Sequence, residues 1–343
     1  QAGTWLALGL FYLTSLNFVR SKKEVDGVVY TLIGSLSVLA IVSLVWSSNV
    51  ITKIIPSLPG YLSSELWNPS GSLLTAALGL VSGLPLVIWL LVKQKSHQLV
   101  SALLAFSLLI IGIGAAATVY RLINPLTPAG RAAFLPVFTG WGIALEALKA
   151  SPILGTGPAT FLADFTRFRP ITFNLTPNWA LRFITSSNYY LELLATLGAA
   201  GLAAYLFLIS RTSKLLVKTA KLPHNTTALA AGLAAGTCFL LQLFFPINFV
   251  LLWLTLCYLT IMITSLKQLG TSTVHEANID IVATGSTSNS LLLPWTVLVL
   301  SVGFGATAAY LGGRAYWAEV LYQKALVAAA QNDGQTTYNT LIA

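Results

Sequence analysis

Residues 121–187 carry the cations Arg121, Arg131, Lys149, Arg167, Arg169 and Arg182 against only Glu146 and Asp164. Such a surplus favours an anionic ligand, and a guanidinium grips phosphate oxygens with two parallel bonds. Contact with lipid headgroups is the plainer alternative. Arg131 follows Thr127-Pro128, which reads as an N-cap and a proline at the first helical position. A helix start already has positive dipole character, so an arginine in its first turn suggests an anion shared between the two. Pro152-Ile153-Leu154-Gly155-Thr156-Gly157-Pro158 reads as a tight turn. Its glycines would let backbone approach a phosphate, or simply make the turn. Aromatics then alternate with cations: Phe161, Phe165, Arg167, Phe168, Arg169, Phe173, Trp179, Arg182 and Phe183. That mix suits sugar rings or prenyl chains with phosphates, and equally an interfacial anchor.

Ser187, Asn188, Tyr190 and Glu192 come next. Glu192 is the only carboxylate inside a hydrophobic stretch, one helical turn beyond Asn188 on the same face. Ionisable residues at such positions are rare and usually functional, which makes Glu192 a general-base candidate. Its plainer role is structural partner to an arginine such as Arg182. Serine at 187 would need its own activator to act as a base. Asp164 is a further carboxylate without positional support. Cys238 and Cys257 sit in apolar segments as small buried hydrophobes, with no metal-ligand spacing.

The elements that hold these residues follow from composition. Of 343 residues 56% are hydrophobic and 8% charged, against roughly 25% charged in a soluble domain. Apolar runs near 3–19, 27–47, 73–92, 98–119, 189–210, 226–245, 248–266 and 291–313 approach or exceed the ~20 residues that span a bilayer as a helix. They are too long and unbroken for barrel strands. The expected fold is all-α: a polytopic membrane bundle of about eight helices over 1–313, with 121–187 inserted as a large, partly helical loop. A soluble domain is excluded, and no nucleic-acid partner is expected. Because the chain opens at Gln1 almost directly into an apolar run, it reads as a fragment.

Basic residues fix an orientation. Arg20, Lys22, Lys23, Lys93, Lys95, Arg211, Lys214, Lys218, Lys221 and Lys267 all fall in alternate loops, whereas the 47–72 loop has Lys53 alone and 244–248 has no charge. The positive-inside rule puts the first set in the cytoplasm, and 47–72, 121–187 and the tail outside. In the large loop, Phe134, Phe138, Trp141, Leu145 and Leu148 recur at helical spacing, predicting one apolar face that ends at Ser151-Pro152. Such a helix lies along the membrane surface or roofs the bundle.

Gly130-Arg131, the amphipathic helix, Ser151–Pro158 and Phe161 together resemble the large periplasmic loop of the O-antigen ligase family. Ser187-Asn188-Tyr189-Tyr190-Leu191-Glu192, running on to Gly198, resembles its next segment, and Asn68-Pro69-Ser70-Gly71-Ser72 also fits. The resemblance covers roughly 27–266. It implies a metal-independent, cofactor-free glycosyltransferase at the outer face of the inner membrane. Such an enzyme moves a glycan from an undecaprenyl-pyrophosphate carrier to lipid, polymer or protein. Family arginines in this loop hold the pyrophosphate. Arg131 matches one by its place before the helix, and Arg182 matches more loosely by its place ahead of Asn188. Arg167, Arg169, Asn188 and Tyr190 are then expected to bind substrate. The family usually places a histidine directly before the Asn, and here that residue is Ser187. His97, His224 and His275 all fall on the expected cytoplasmic side, so Glu192 is the better base. The serine leaves three readings: donor activation without a strong base, a polymerase or protein-glycosylating relative, or a fold that has lost activity and serves as a scaffold. A transporter of an anionic lipid-linked glycan is a further alternative.

The tail from 314 to 343, with Tyr316-Trp317, Tyr322, Ala325 and Tyr338, looks like the start of a tetratricopeptide-type array or a lone amphipathic helix. Residues 268–290 are Ser/Thr/Gly-rich and read as a flexible linker.

Overall fold

The computed structural model describes residues 2–48, 54, 67–93, 98–124, 133–223, 226–269 and 292–342. Each of the eight apolar stretches lies largely within a helix. These are α1 (Ala2–Phe18), α2 (Lys22–Ser47), α3 (Leu73–Lys93) and α4 (Gln98–Ile123), then, past the large loop, α7 (Tyr189–Ala220), α8 (Thr226–Phe244), α9 (Phe249–Gln268) and α10 (Leu292–Ala330). The loop contributes α5 (Val137–Ala150), α6 (Phe161–Phe168) and a 3-10 turn (Ile171–Leu175), and α11 (Gly334–Ile342) follows α10. Among the described residues there is no strand.

Among the described residues, six of these helices, α2, α3, α4, α7, α8 and α9, are long and apolar enough to cross a membrane. The protein is a multi-pass membrane helix bundle. The 17-residue α1 and the long α10, which the sequence reading counts as spans, are not in that set. The outer side of α4 exposes Leu103, Phe106, Leu109 and Ile113 at helical spacing, a face that only lipid tails solvate without cost. Its inner side packs closely on α2: a Cβ on Gly114 would stand 2.6 Å from that of Ala40. Such small-residue contacts let membrane helices approach backbone to backbone. Both thiols are free and buried within the bundle.

Polar ties gather helix ends at one end of the bundle. Arg121 donates to the carbonyl of Ser47, closing the C-terminus of α2. Asn68 Nδ2 donates to Ser43 Oγ at 2.9 Å, and Asn248, the N-cap of α9, donates to Thr75 Oγ1 at 2.7 Å. The Tyr189 amide donates to the carbonyl of Phe245 at 3.1 Å. The stretches that the sequence assigns to one side of the membrane therefore meet at one end.

Residues 133–188 form a cap over the first turns of α7. Its core joins Ile143, Ala147, Phe161, Phe165 and Phe173 to Leu191 and Ala195. Phe165 meets Phe173 and Phe183 edge-on, with centroids 5.5 and 5.7 Å away. These rings are core, and not the stacking platform that the sequence pattern allows. The helix of the cap also differs from expectation. It begins at Val137, after Pro136, and it buries Gly140, Ile143, Ala144 and Ala147. The expected apolar face points outward instead, with Phe138 90% and Trp141 52% exposed. Small residues allow closer packing on α7 than the aromatics would, so the aromatics are left for the other side. The end at Ala150, before Ser151-Pro152, is as expected.

The chain divides into two compact units, Gln1–His275 and Glu276–Ala343; the sequence reading divides it after residue 313. The second unit is a helical hairpin. Asn332 turns the chain with φ 58°, and Asp333 caps α11 by accepting from the Thr336 amide (3.0 Å) and hydroxyl (2.6 Å). Of the linker expected at 268–290, residues 270–290 lie outside the described residues, and Gln268 is the last residue of α9.

Candidate functional site

The site is built on a helix that is interrupted. Helix α7 breaks at Gly198, whose φ of 64° and ψ of −163° are not helical. A continuous helix would bond Ala199 to Ala195 and Ala200 to Thr196. Here the 152–157 turn is spliced between them. Thr156 and Gly157 donate to the carbonyls of Ala195 (3.1 Å) and Thr196 (2.8 Å), while Ala199 and Ala200 donate to those of Pro152 (3.0 Å) and Ile153 (3.1 Å). Each of these four groups finds a partner, as buried backbone requires. The Gly-x-Gly turn therefore holds the cap to α7 through its backbone.

The same turn positions a carboxylate. Thr156 Oγ1 donates to Asp164 Oδ2 at 2.6 Å and lies 2.6 Å from Thr160 Oγ1. Asp164 is buried on α6, and burial holds its carboxyl above the usual range; the Thr156 and Thr160 hydroxyls and the Arg167 charge act the other way. That placement had no signal in the sequence.

At the head of α7, Asn188 Oδ1 accepts from the Leu191 amide at 2.9 Å and caps the helix. Glu192 is 2% exposed and forms no ion pair among the described residues. Its Oε2 accepts from the Ser186 amide at 2.6 Å, while Oε1 has no partner among the described residues. The hydroxyls of Ser186, Ser187 and Tyr189 are also buried without partners. Four orphaned oxygens within seven residues are unusual, since buried polar atoms are nearly always bonded. Gly140 of α5 makes room here: a Cβ on it would lie 2.5 Å from Ser187 Oγ. Among the described residues, Ser187 Oγ has no hydrogen-bond partner to take its proton.

Tyr190 points to the other side of the helix. Its hydroxyl donates to the carbonyl of Phe239 on α8 at 3.1 Å. There it lines an apolar groove of about 550 Å³ between α5, α7 and α8, with Phe138, Trp141, Leu194, Leu206 and Leu243; Asn188 stands in the same wall.

The loop arginines lie on the cap's surface. Arg167 is exposed over the Phe168 ring at 5.0 Å. Arg169 sits 5.8 Å over Phe165 and donates to the carbonyl of Trp179 at 3.3 Å. Arg182 is exposed, and none of the three forms an ion pair among the described residues. Arg182 is not joined to Glu192. Arg131, the helix start expected at 127–128, and all three histidines lie outside the described residues. The sequence reading thus reaches Glu192, Asn188 and Tyr190 at one helix head. It does not single out Ser186, Tyr189 or Thr156, whose roles depend on neighbours distant in the chain.

Comparison with protein-family models, with characterised proteins and with solved structures finds no match.

Proposed function

We propose that this protein is a membrane glycan transferase that moves an oligo- or polysaccharide from a polyprenyl-pyrophosphate carrier to a lipid, glycan or protein acceptor on the outer face of the cytoplasmic membrane. One observation carries the reading: Glu192 is buried, unpaired among the described residues and half-bonded at the head of a helix whose other side walls an apolar groove. The groove's chemistry suits a prenyl chain, with Phe138, Trp141 and Tyr190 along it. Arg167, Arg169 and Arg182 supply unpaired positive charge for a pyrophosphate, and Arg131 is assigned the same task from its place in the sequence. Glu192 acts as the base and Asn188 orders the turn that presents it. Ser187 leaves space beside the reacting centre. The hairpin of the second unit is assigned to binding a peptide or protein partner.

The test is transfer from a native lipid-linked donor in vesicles, with Glu192→Gln, Arg131→Ala and Arg182→Ala beside the parent. Loss in all three, with each variant still folded, supports the assignment. Undiminished transfer by Glu192→Gln sinks the role of the base, and no transfer by the parent sinks the reading.

A transporter is the second reading, and the break in α7 favours it, because transporters bind ions at unwound helix segments. Two of the carbonyls at the break, those of Ala195 and Thr196, are taken by the 152–157 turn and are not offered to an ion.

A further inference from the structure

Helices α1 and α2 are joined by the short link at 19–21, and both rest on α9. Between the three lies a cleft of about 730 Å³. The C-terminus of α2 and the N-terminus of α9 are tied at the cap end, so the start of α2 lies at the other end of the bundle. The cleft opens there, at Glu24, and reaches Ser35. Those eleven residues rise about 16 Å, half of the roughly 30 Å hydrocarbon thickness. On the cap side Phe11 and Trp253 meet across it, with ring centroids 5.9 Å apart. A lipid chain of one leaflet matches that depth, whereas a partner helix would run on past the two rings.

Polar groups in this apolar cleft set the chemistry of its occupant. Thr260, two turns nearer the mouth than Trp253, lines it and is 4% exposed. Its Oγ1 has no hydrogen-bond partner among the described residues. An unbonded hydroxyl is costly in hydrocarbon. An ester carbonyl supplies the acceptor it lacks, and a plain alkyl tail does not. At the mouth, Glu24 Oε2 accepts from the Arg20 and Ser21 amides at 2.8 and 3.0 Å. Arg20 Nε donates to the carbonyl of Asn17 at 2.7 Å, which leaves its two terminal nitrogens. Among the described residues neither side chain forms an ion pair, nor do Lys22 and Lys23. The mouth therefore presents a carboxylate and cations side by side. A headgroup of one sign meets repulsion from one of them; a headgroup bearing both signs complements the set.

We infer that the cleft is a binding site for one phosphatidylethanolamine molecule, drawn from the leaflet away from the cap. One acyl chain fills the cleft, and an ester carbonyl accepts from Thr260. The phosphate meets the Arg20 guanidinium, and the ammonium donates to Glu24. A choline headgroup has no N–H to give, and a glycerol headgroup has no cation. The site holds whether or not the protein transfers glycans.

The probe is phosphatidylethanolamine with a diazirine on one acyl chain, photolysed with the full chain in phosphatidylcholine vesicles. The outer face of α4, at Leu103, Phe106 and Leu109, reports ordinary lipid contact. Labelling is expected within 11–19, 27–35 or 253–260. At equal mole fraction, plain phosphatidylethanolamine should compete it away at least about tenfold better than phosphatidylglycerol, the weight of one charged hydrogen bond. On α4 the two lipids should compete alike. Glu24→Gln keeps an oxygen for the Arg20 and Ser21 amides, so α2 stays capped, and it should erase the preference. Thr260→Val, close in shape, should weaken competition about fivefold, the weight of one neutral hydrogen bond. An added Cβ at Gly27 meets nothing within 4 Å, so Gly27→Leu should fill the cleft and reduce its labelling to the level seen with excess competitor, with α4 labelled as before. Equal competition by the two lipids in the cleft, a preference that survives Glu24→Gln, competition unchanged in Thr260→Val, or an unlabelled cleft beside a labelled α4 overturns the inference.

Discussion

Gly155 and Gly198, 43 positions apart, meet backbone to backbone: a Cβ built on either would lie 2.5 Å from the other's amide nitrogen. Both have positive φ, 68° and 64°. The cap and the broken helix are thus held by a contact that admits no side chain on either partner.

Gly198→Ala should therefore be the most damaging small substitution at the site. The strain of a glycine-only backbone conformation alone costs about 1–3 kcal/mol, before the clash is added. Gly155→Ala should behave similarly. Thermal unfolding in detergent is expected to show a lowered Tm for both, while Gly236→Ala, where nothing lies within 4 Å, leaves it unchanged. Equal Tm values across the three would contradict the interlock.

Glu192→Gln keeps an oxygen to accept from the Ser186 amide, so the turn should hold. Transfer should drop by about 10²–10⁴-fold, the range for a lost general base. Glu192→Ala removes the acceptor as well and should lower stability in addition. Unfolding midpoints measured beside transfer rates distinguish the two effects.

Arg182 is exposed and has no ion-pair partner among the described residues, so Arg182→Ala should change stability by less than about 0.5 kcal/mol. Transfer should nonetheless fall, and Arg182→Lys should restore it only in part, since an ammonium lacks the two-pronged geometry. Full activity in Arg182→Ala would remove this arginine from the site.

Asp164 gives a pH dependence with a definite sign. Its carboxyl is raised by burial, so the folded protein holds that proton to higher pH than the unfolded chain does. The folded state is then favoured most fully below the unfolded value of about 3.9, and this contribution is lost as pH rises through the raised folded value. Asp164→Asn removes the titration. Its stability relative to the parent should increase from acid toward neutral pH. A difference that stays flat across that window, measured by chemical unfolding in detergent, would show that Asp164 titrates normally.

Leu206→Trp should fill part of the apolar groove. Its expected effect is a raised donor KM with the acceptor KM unchanged, read by titrating each substrate in vesicles. The opposite split would assign the groove to the acceptor.

Much of this architecture was legible in the chain itself. Long apolar runs without charge can only bury their backbone polarity as helices, and that requirement is local. All eight runs are accordingly largely helical, and among the described residues six of these helices are long and apolar enough to cross a membrane. The basic loops alternate with the ends that Asn68, Arg121 and Asn248 tie together. Glu192 stood out because a carboxylate in an apolar run must be accommodated somehow.

What the tertiary structure alone decided concerns partners. Helix α5 is apolar on two sides, so periodicity found the larger residues, Phe138 and Trp141; packing instead chose Gly140, Ile143 and Ala147, because small side chains let α5 close on α7. The Gly-x-Gly turn looked the same whether it faced a phosphate or another helix. The break at Gly198 was hidden, since a glycine within a hydrophobic run costs only about 1 kcal/mol and does not by itself end a helix. Only when the 152–157 turn supplies four backbone bonds does leaving the helix cost nothing there, and that compensation comes from residues some forty positions away.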